Sequence, residues 1–264
     1  MKTLVTLFVT ICMLCMNTAT AQEYKHSVKS AKKIEIGDLT GEIKIIGHTG
    51  TDLIVEAGDL EEIPERAKGL KPLSGGGVDN TGIGLNITEA GGIISISGTT
   101  KQSGDTDYTF KVPDNMAVAI DYSSPFTADD VNVENFGGEF EMKALNDGVI
   151  LKDVTGPVFL DLINGDIEIV FKSVNQSSPM SIKTINGDID VAMSATTKAT
   201  FELYSLHGDI YTDLDIDVKR DDKKGKSNNL SFIGGMNDID GTINGGGVKM
   251  TISSINGNLF LRKK

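Results

Sequence analysis

Thirteen residues from Val158 to Val170, Val-Phe-Leu-Asp-Leu-Ile-Asn-Gly-Asp-Ile-Glu-Ile-Val, are echoed 22 residues later by Met-Ser-Ile-Lys-Thr-Ile-Asn-Gly-Asp-Ile-Asp-Val-Ala from Met180 to Ala192. In each copy the apolar residues alternate, as in a strand that buries one face. An Asn-Gly pair interrupts each run, a sequence suited to a tight corner because glycine tolerates positive φ and asparagine bonds its own backbone. The unit is therefore strand, corner, strand.

Further copies align on the corner. Phe140, Met142 and Ala144 precede Leu145-Asn146-Asp147-Gly148; Phe201, Leu203 and Ser205 precede Leu206-His207-Gly208-Asp209; Met250, Ile252 and Ser254 precede Ile255-Asn256-Gly257-Asn258. A degraded copy is read at Ile239-Asp240-Gly241-Thr242-Ile243. Steps of 18, 22 and 21 residues separate Leu145, Ile163, Ile185 and Leu206, a spacing that belongs to stacked coils. An antiparallel meander is the competing arrangement, since Asn-Gly between alternating runs is also a hairpin signal. Recurrence of like side chains at like offsets favours stacking, with each coil about 4.8 Å above its predecessor. A single coil buries too little to offset its own ordering, so the copies must share one core. The expected fold is all-β, a single-stranded parallel β-helix or β-solenoid with one short helical insertion.

Met1 to Ala21 reads as a secretory signal peptide, with Lys2, an apolar run from Leu4 to Met16, and Ala19-Thr20-Ala21 as a small-residue cleavage site. The apolar run is too short to span a bilayer, and no transmembrane segment is expected after it. The expected organisation is 1–21 signal peptide and 22–264 one solenoid domain, less regular over 22–115 and regularly repeating over 116–264. Both cysteines, Cys12 and Cys15, fall in the leader, so burial and backbone pairing alone must stabilise the rest.

The lone charge in 1–21 is Lys2, so removing it takes the net charge from −12 to −13. That acidity argues against a nucleic-acid partner, whose phosphates need clustered Lys and Arg. Leu60 to Leu70, with Pro64 near its start, breaks the alternation and supplies the short helical turn. Ser74-Gly75-Gly76-Gly77 reads as loop, as does the lysine-rich stretch Lys219 to Asn229. Arg262-Lys263-Lys264 is placed to blunt an exposed last strand.

The corner residues Asn164, Gly165, Asn186, Gly187, His207, Gly208, Asn256 and Gly257 are structural candidates, with the asparagines able to bond from coil to coil. Asp166, Asp188 and Asp209, with Asn258, form a row after the glycines. Asp213, Asp215 and Asp217 alternate with Leu214, Ile216 and Val218. On one strand face they would form an acidic strip, either plain solvated surface or a site for a hard cation such as calcium. His26, His48 and His207 have no metal-ligand spacing, and no nucleophile elbow or phosphate-binding loop occurs. No catalytic residue and no cofactor are called for.

The leader, the recurring Ile-Asn-Gly-Asp-Ile corners and the strand Thr109-Phe-Lys-Val-Pro113 resemble the bacterial candidate-adhesin family of secreted β-solenoid proteins. The likeness to Bacteroidetes envelope proteins is closest over Glu65 to Leu73 and Asp79 to Leu85, and the resemblance covers nearly all of 22–264. It implies a right-handed coil, export to the periplasm, cell surface or medium, and a non-enzymatic binding or structural role toward a cell-surface protein or glycan. The alternatives are a carbohydrate-active β-helix, though the chain has no Trp and three arginines, and an accessory protein of the envelope stress response.

Overall fold

In the computed structural model the described residues are 22–37, 39, 41–58, 60, 65–67, 70, 77–99, 106–122, 130–219 and 237–264. The leader, most of the glycine-rich loop at 74–77 and most of the lysine-rich stretch at 219–229 lie outside them.

Among the described residues the fold is all-β apart from one 3-10 turn, Glu65–Ala67, inside the segment expected to be helical. Ten strands form a first sheet in the spatial order β1 (Gln22–Ser27), β4 (Asp52–Ala57), β7 (Tyr108–Pro113), β3 (Ile43–His48), β9 (Val131–Glu134), β11 (Val149–Val154), β13 (Ile167–Phe171), β15 (Ile189–Met193), β21 (Leu259–Lys263), β17 (Ile210–Thr212). Eleven form a second: β18 (Asp217–Val218), β19 (Asn237–Ile243), β16 (Ala199–Ser205), β20 (Val248–Asn256), β14 (Met180–Asn186), β12 (Val158–Asn164), β10 (Phe140–Ala144), β8 (Ala117–Tyr122), β2 (Lys33–Gly37), β6 (Ile93–Gly98), β5 (Leu85–Ala90). Neither closes into a barrel among the described residues.

Each corner separates a strand of the second sheet from one of the first, so β12 leads to β13, β14 to β15 and β20 to β21. Like strands then pair in parallel and in register: Met142 opposite Leu160, Leu160 opposite Ile182, Ile182 opposite Ile252, and Ile252 opposite Leu203. All five are buried and belong to one continuous apolar cluster that runs from Ala31 to Leu261. An antiparallel meander through the repeats is thereby excluded.

The spatial order departs from the chain order at both ends. The last segment, β20 and β21, lies between the β14/β15 layer and the β16/β17 layer. The first, β2 and β3, lies between β6/β7 and β8/β9. The copies at Met180 and Phe201 are therefore not neighbours; each pairs with the copy at Met250. Two expectations are corrected by this order. Arg262-Lys263-Lys264 does not blunt an outer strand, because β21 has β15 on one side and β17 on the other. Ile239 to Ile243 is not a coil with a corner but part of β19, which runs antiparallel to β16 and covers it. Antiparallel strands cap the other end as well, with β5 on β6, β4 on β7 and β1 on β4. A reversed strand stops the coil from propagating, which is how a ladder of this type protects its ends.

Candidate functional site

The corners are held by side-chain ladders. Asn164 Nδ2 donates to Asn146 Oδ1 at 2.9 Å, Asn186 to Asn164 at 2.6 Å and Asn256 to Asn186 at 2.6 Å. Each amide in the middle of the row both donates and accepts, so the row satisfies itself. His207 occupies the end position, exposed, with its backbone N–H on the Ile255 carbonyl. Inside the corner, Thr184, Ser254 and Ser205 are buried and donate their hydroxyls to the carbonyls of Gly165, Gly187 and Gly257 at 3.1, 2.9 and 2.9 Å.

The corner glycines serve a different need from the one expected. Gly165, Gly208 and Gly257 do not have positive φ, and only Gly187 does, at 156°. What all four share is contact. A Cβ on Gly165, Gly187, Gly257 or Gly208 would stand 2.3, 2.2, 1.9 or 2.0 Å from the carbonyl oxygen of the residue below it in the stack. Glycine is required here because backbone lies directly on backbone.

The residues after the glycines form another ladder. Asp166 Oδ1 accepts the Asp188 N–H at 2.8 Å, Asp188 Oδ1 accepts that of Asn258 at 2.7 Å, and Asn258 Oδ1 accepts that of Asp209 at 3.0 Å. The inserted last segment thus puts a neutral amide between Asp188 and Asp209, which chain-order stacking would have made neighbours. This separation gives a physical reason for the permuted order.

Asp213, Asp215 and Asp217 do not share one strand. The chain leaves β17 after Thr212, bends at buried Leu214, and re-enters a strand at Asp217. Asp213 accepts the Lys263 N–H at 2.7 Å, and Asp215, 99% exposed, faces Lys263 Nζ at 3.3 Å. Among the described residues, no group of three or more His, Cys, Asp and Glu is arranged to hold a metal ion.

The sequence reading missed a row of outward side chains on the first sheet. The residues three after the corner glycines, Glu168, Asp190, Phe260 and Tyr211, stand side by side through the pairings of β13, β15, β21 and β17. The Phe260 and Tyr211 rings stack with centroids 5.3 Å apart and planes 12° from parallel. The Arg262 guanidinium lies 5.2 Å from the Phe260 centroid, and its Nε meets both oxygens of Asp190, at 2.9 and 2.7 Å. Tyr211 is 51% exposed although it belongs to the last strand of the sheet. Its hydroxyl donates to Asp209 at 3.2 Å, and the charge of Asp209, together with that bond, raises the phenol's pKa. Equal offsets from the corners were the available signal, but chain-order stacking would not have joined residues 211 and 260.

Other polar clusters serve the fold. Glu89 accepts backbone N–H groups of Lys29, Ser30 and Ala31 and contacts His26 Nε2 at 3.0 Å, tying the loop after β1 to β5. The Ser30 amide foremost, then His26, hold its carboxyl down at about 2. At Asp79 burial opposes ionisation, but the N–H groups of Thr81, Gly82 and Gly84 outweigh it and lower the pKa. Asn80 pairs with both backbone groups of Ile87, at 2.8 and 2.9 Å, and so acts as a partner for the outer strand β5. His48 bridges Gly50 N–H and the Asp52 carbonyl. A shallow hollow of about 410 Å³ on the second sheet is bordered by Lys33, Glu35 and Glu141, which pair with one another at 3.2 and 3.8 Å. No described helix is long and apolar enough to cross a membrane.

No protein-family model and no curated protein matches the sequence. Among solved structures, the chain is similar to a candidate cell adhesion protein from Clostridium sporogenes, with 12% identity, a TM-score of 0.45, and 93% of this chain and 100% of that one covered. It is likewise similar to a candidate adhesin from Bacteroides fragilis, with 12% identity, a TM-score of 0.43, and coverage of 94% and 98%.

Proposed function

We propose that residues 22–264 form one single-stranded, right-handed parallel β-solenoid, exported behind a leader at 1–21, that works as a non-enzymatic, adhesin-like binding module of the cell envelope. The observation that carries this reading is the outward Tyr211–Phe260–Arg262–Asp190 array, in which Tyr211 and Arg262 are exposed and Phe260 and Asp190 half-buried. Outward aromatic rings on a soluble face expose apolar area to water, and such rings with ordered charged neighbours are typical of contact surfaces. The array is also preorganised. Stacking holds the rings and a forked ion pair holds the arginine, so little side-chain freedom remains to be lost when a partner arrives.

The in-register corners support the solenoid description, because asparagine, glycine, acid and hydroxyl rows all follow one stacking axis. Purified protein lacking residues 1–21 should bind whole cells, envelope fractions or arrayed glycans above an unrelated acidic control. Uniform failure across the three would contradict the binding role. Release of reducing ends from polysaccharides by the same preparation would instead make it a carbohydrate-active enzyme.

A further inference from the structure

Two of the ladders that join one layer to the next reach β17 with a position that no described group fills. In the acid ladder each carboxylate or amide Oδ1 accepts an N–H from the following layer, through Asp166, Asp188 and Asn258. Asp209 is the last member. Its Oδ2 accepts the Tyr211 hydroxyl, and no described donor meets its Oδ1. The backbone ladder ends in the same way. Ile167, Ile189 and Leu259 each donate their N–H to the carbonyl of Asp188, Asn258 and Asp209 in the layer above. The N–H of Ile210, next in that row, has no described acceptor, and no described strand lies beyond β17.

The side chains along this edge read acid, tyrosine, acid: Asp209, Tyr211 and Asp213, all exposed. What complements them is already present on the other side of β17. Phe260 lies opposite Tyr211 in β21, two residues after Asn258 and two before Arg262. Asn258 bonds the Asp209 N–H, Phe260 stacks on the Tyr211 ring, and Arg262 supplies a cation held by an aspartate. A further strand laid parallel on this edge, where no described strand pairs, would meet the same elements. Its first N–H would bond Asp209 Oδ1, and its next carbonyl would accept from Ile210. Its outward ring would cover Tyr211, and a cation two residues on would face the carboxylate of Asp213 and approach that of Asp215.

Building on the binding role proposed above, we propose that the β17 edge receives an extended cationic peptide segment of a partner protein, added as a parallel strand with the alternation polar, aromatic, basic. Main-chain bonds would hold such a segment and the alternate side chains would select it. Charge supports this occupant, since the edge displays carboxylates on a chain of net charge −12. A cation stacked on Tyr211 between carboxylates gains from both the ring quadrupole and the ion pairs.

The probe is a synthetic, fluorescein-labelled peptide with the sequence of residues 255–264, titrated against protein lacking residues 1–21 and followed by anisotropy. Saturable binding is expected. Three altered peptides leave the protein untouched: one with F260A, one with R262E and K263E, and one N-methylated at the amide of Asn258. Each should bind about tenfold more weakly or worse, since each removes one of the stacked, charged or main-chain contacts. Tyr211→Ser in the protein should weaken the parent peptide while the protein still unfolds in a single cooperative thermal transition. Equal binding of all four peptides, or no binding of any, overturns the proposal. So does a homodimer that Tyr211→Ser dissociates, which would give the edge to a second copy, or Tyr211-dependent capture of a neutral oligosaccharide without peptide binding. If the peptides fail while cell or envelope binding persists, the binding role stands and only its location at β17 is lost.

Discussion

A Cβ placed on Gly257 would lie 1.9 Å from the carbonyl oxygen of Gly187, a residue 70 positions earlier in the chain. No side-chain rotation relieves such a contact, because both parties are backbone. The stacking distance and the glycine at the corner are thus one constraint seen from two sides.

Gly257→Ala should therefore force the two layers apart and cost about 1 to 3 kcal/mol, the usual range for overpacking. For a chain of this size that corresponds to a fall of roughly 2 to 12 °C in thermal midpoint. Gly37→Ala is the matched control, since a Cβ there meets nothing within 4 Å. Its midpoint should stay within about 2 °C of the parent, as for other substitutions that touch no special feature. Equal effects at the two sites would contradict the close-approach explanation.

Asn258→Asp tests why the last segment sits inside the stack. The substitution replaces a neutral spacer between Asp188 and Asp209 by a carboxylate and removes the Asn258 Nδ2 donor that lies 3.3 Å from Asp188 Oδ1. The expected loss is about 1 to 2 kcal/mol. Part of it should be recovered as salt rises from 0.01 to about 1 M, because screening weakens like-charge repulsion at an exposed row. A loss that does not change with salt would remove repulsion from the account.

Acid should release the Glu89 anchor. Its folded carboxyl is held at about 2, below the roughly 4.3 of a free glutamate. A depressed carboxyl contributes stability that is present above the unfolded value and is lost as pH falls through the folded one. Between about pH 5 and 2 the parent should lose more thermal stability than Glu89→Gln, which starts lower at neutral pH but lacks this titration. Parallel curves for the two proteins would show that the contacts of Glu89 with Ser30 and His26 do not govern acid unfolding.

The strand period, the corners and the shared interior were legible because alternation and the Asn-Gly pairs are local. Leu160, Ile182 and Leu203 face inward as their offsets require, at 2, 0 and 1% exposure. Layer order was not legible. Hydrogen bonding between parallel strands is nearly indifferent to which copy lies next, so the choice falls to side-chain rows such as Asp188, Asn258 and Asp209. Alternation at aspartates 213, 215 and 217 predicts one strand face, whereas the chain leaves the strand after Thr212 and buries Leu214. The aromatic pair depended on the same unseen order. Once the segment at Met250 is moved between those at Met180 and Phe201, Phe260 and Tyr211 become neighbours.

Layer order can be read directly from engineered disulfides, since both natural cysteines lie in 1–21 and residues 22–264 contain none. Ser181 and Thr251 face each other across β14 and β20, and Thr251 faces Glu202 across β20 and β16. Neighbouring strands lie about 4.8 Å apart, inside disulfide reach, whereas strands two apart, at roughly 9.6 Å, exceed the limit of about 7 Å. Mild oxidation of protein carrying S181C and T251C should therefore give a cross-linked species that migrates faster on a non-reducing gel, and protein carrying S181C and E202C should stay reduced. The opposite pattern, with 181 joined to 202 and not to 251, would place the copies in chain order and contradict the stacking on which this account depends.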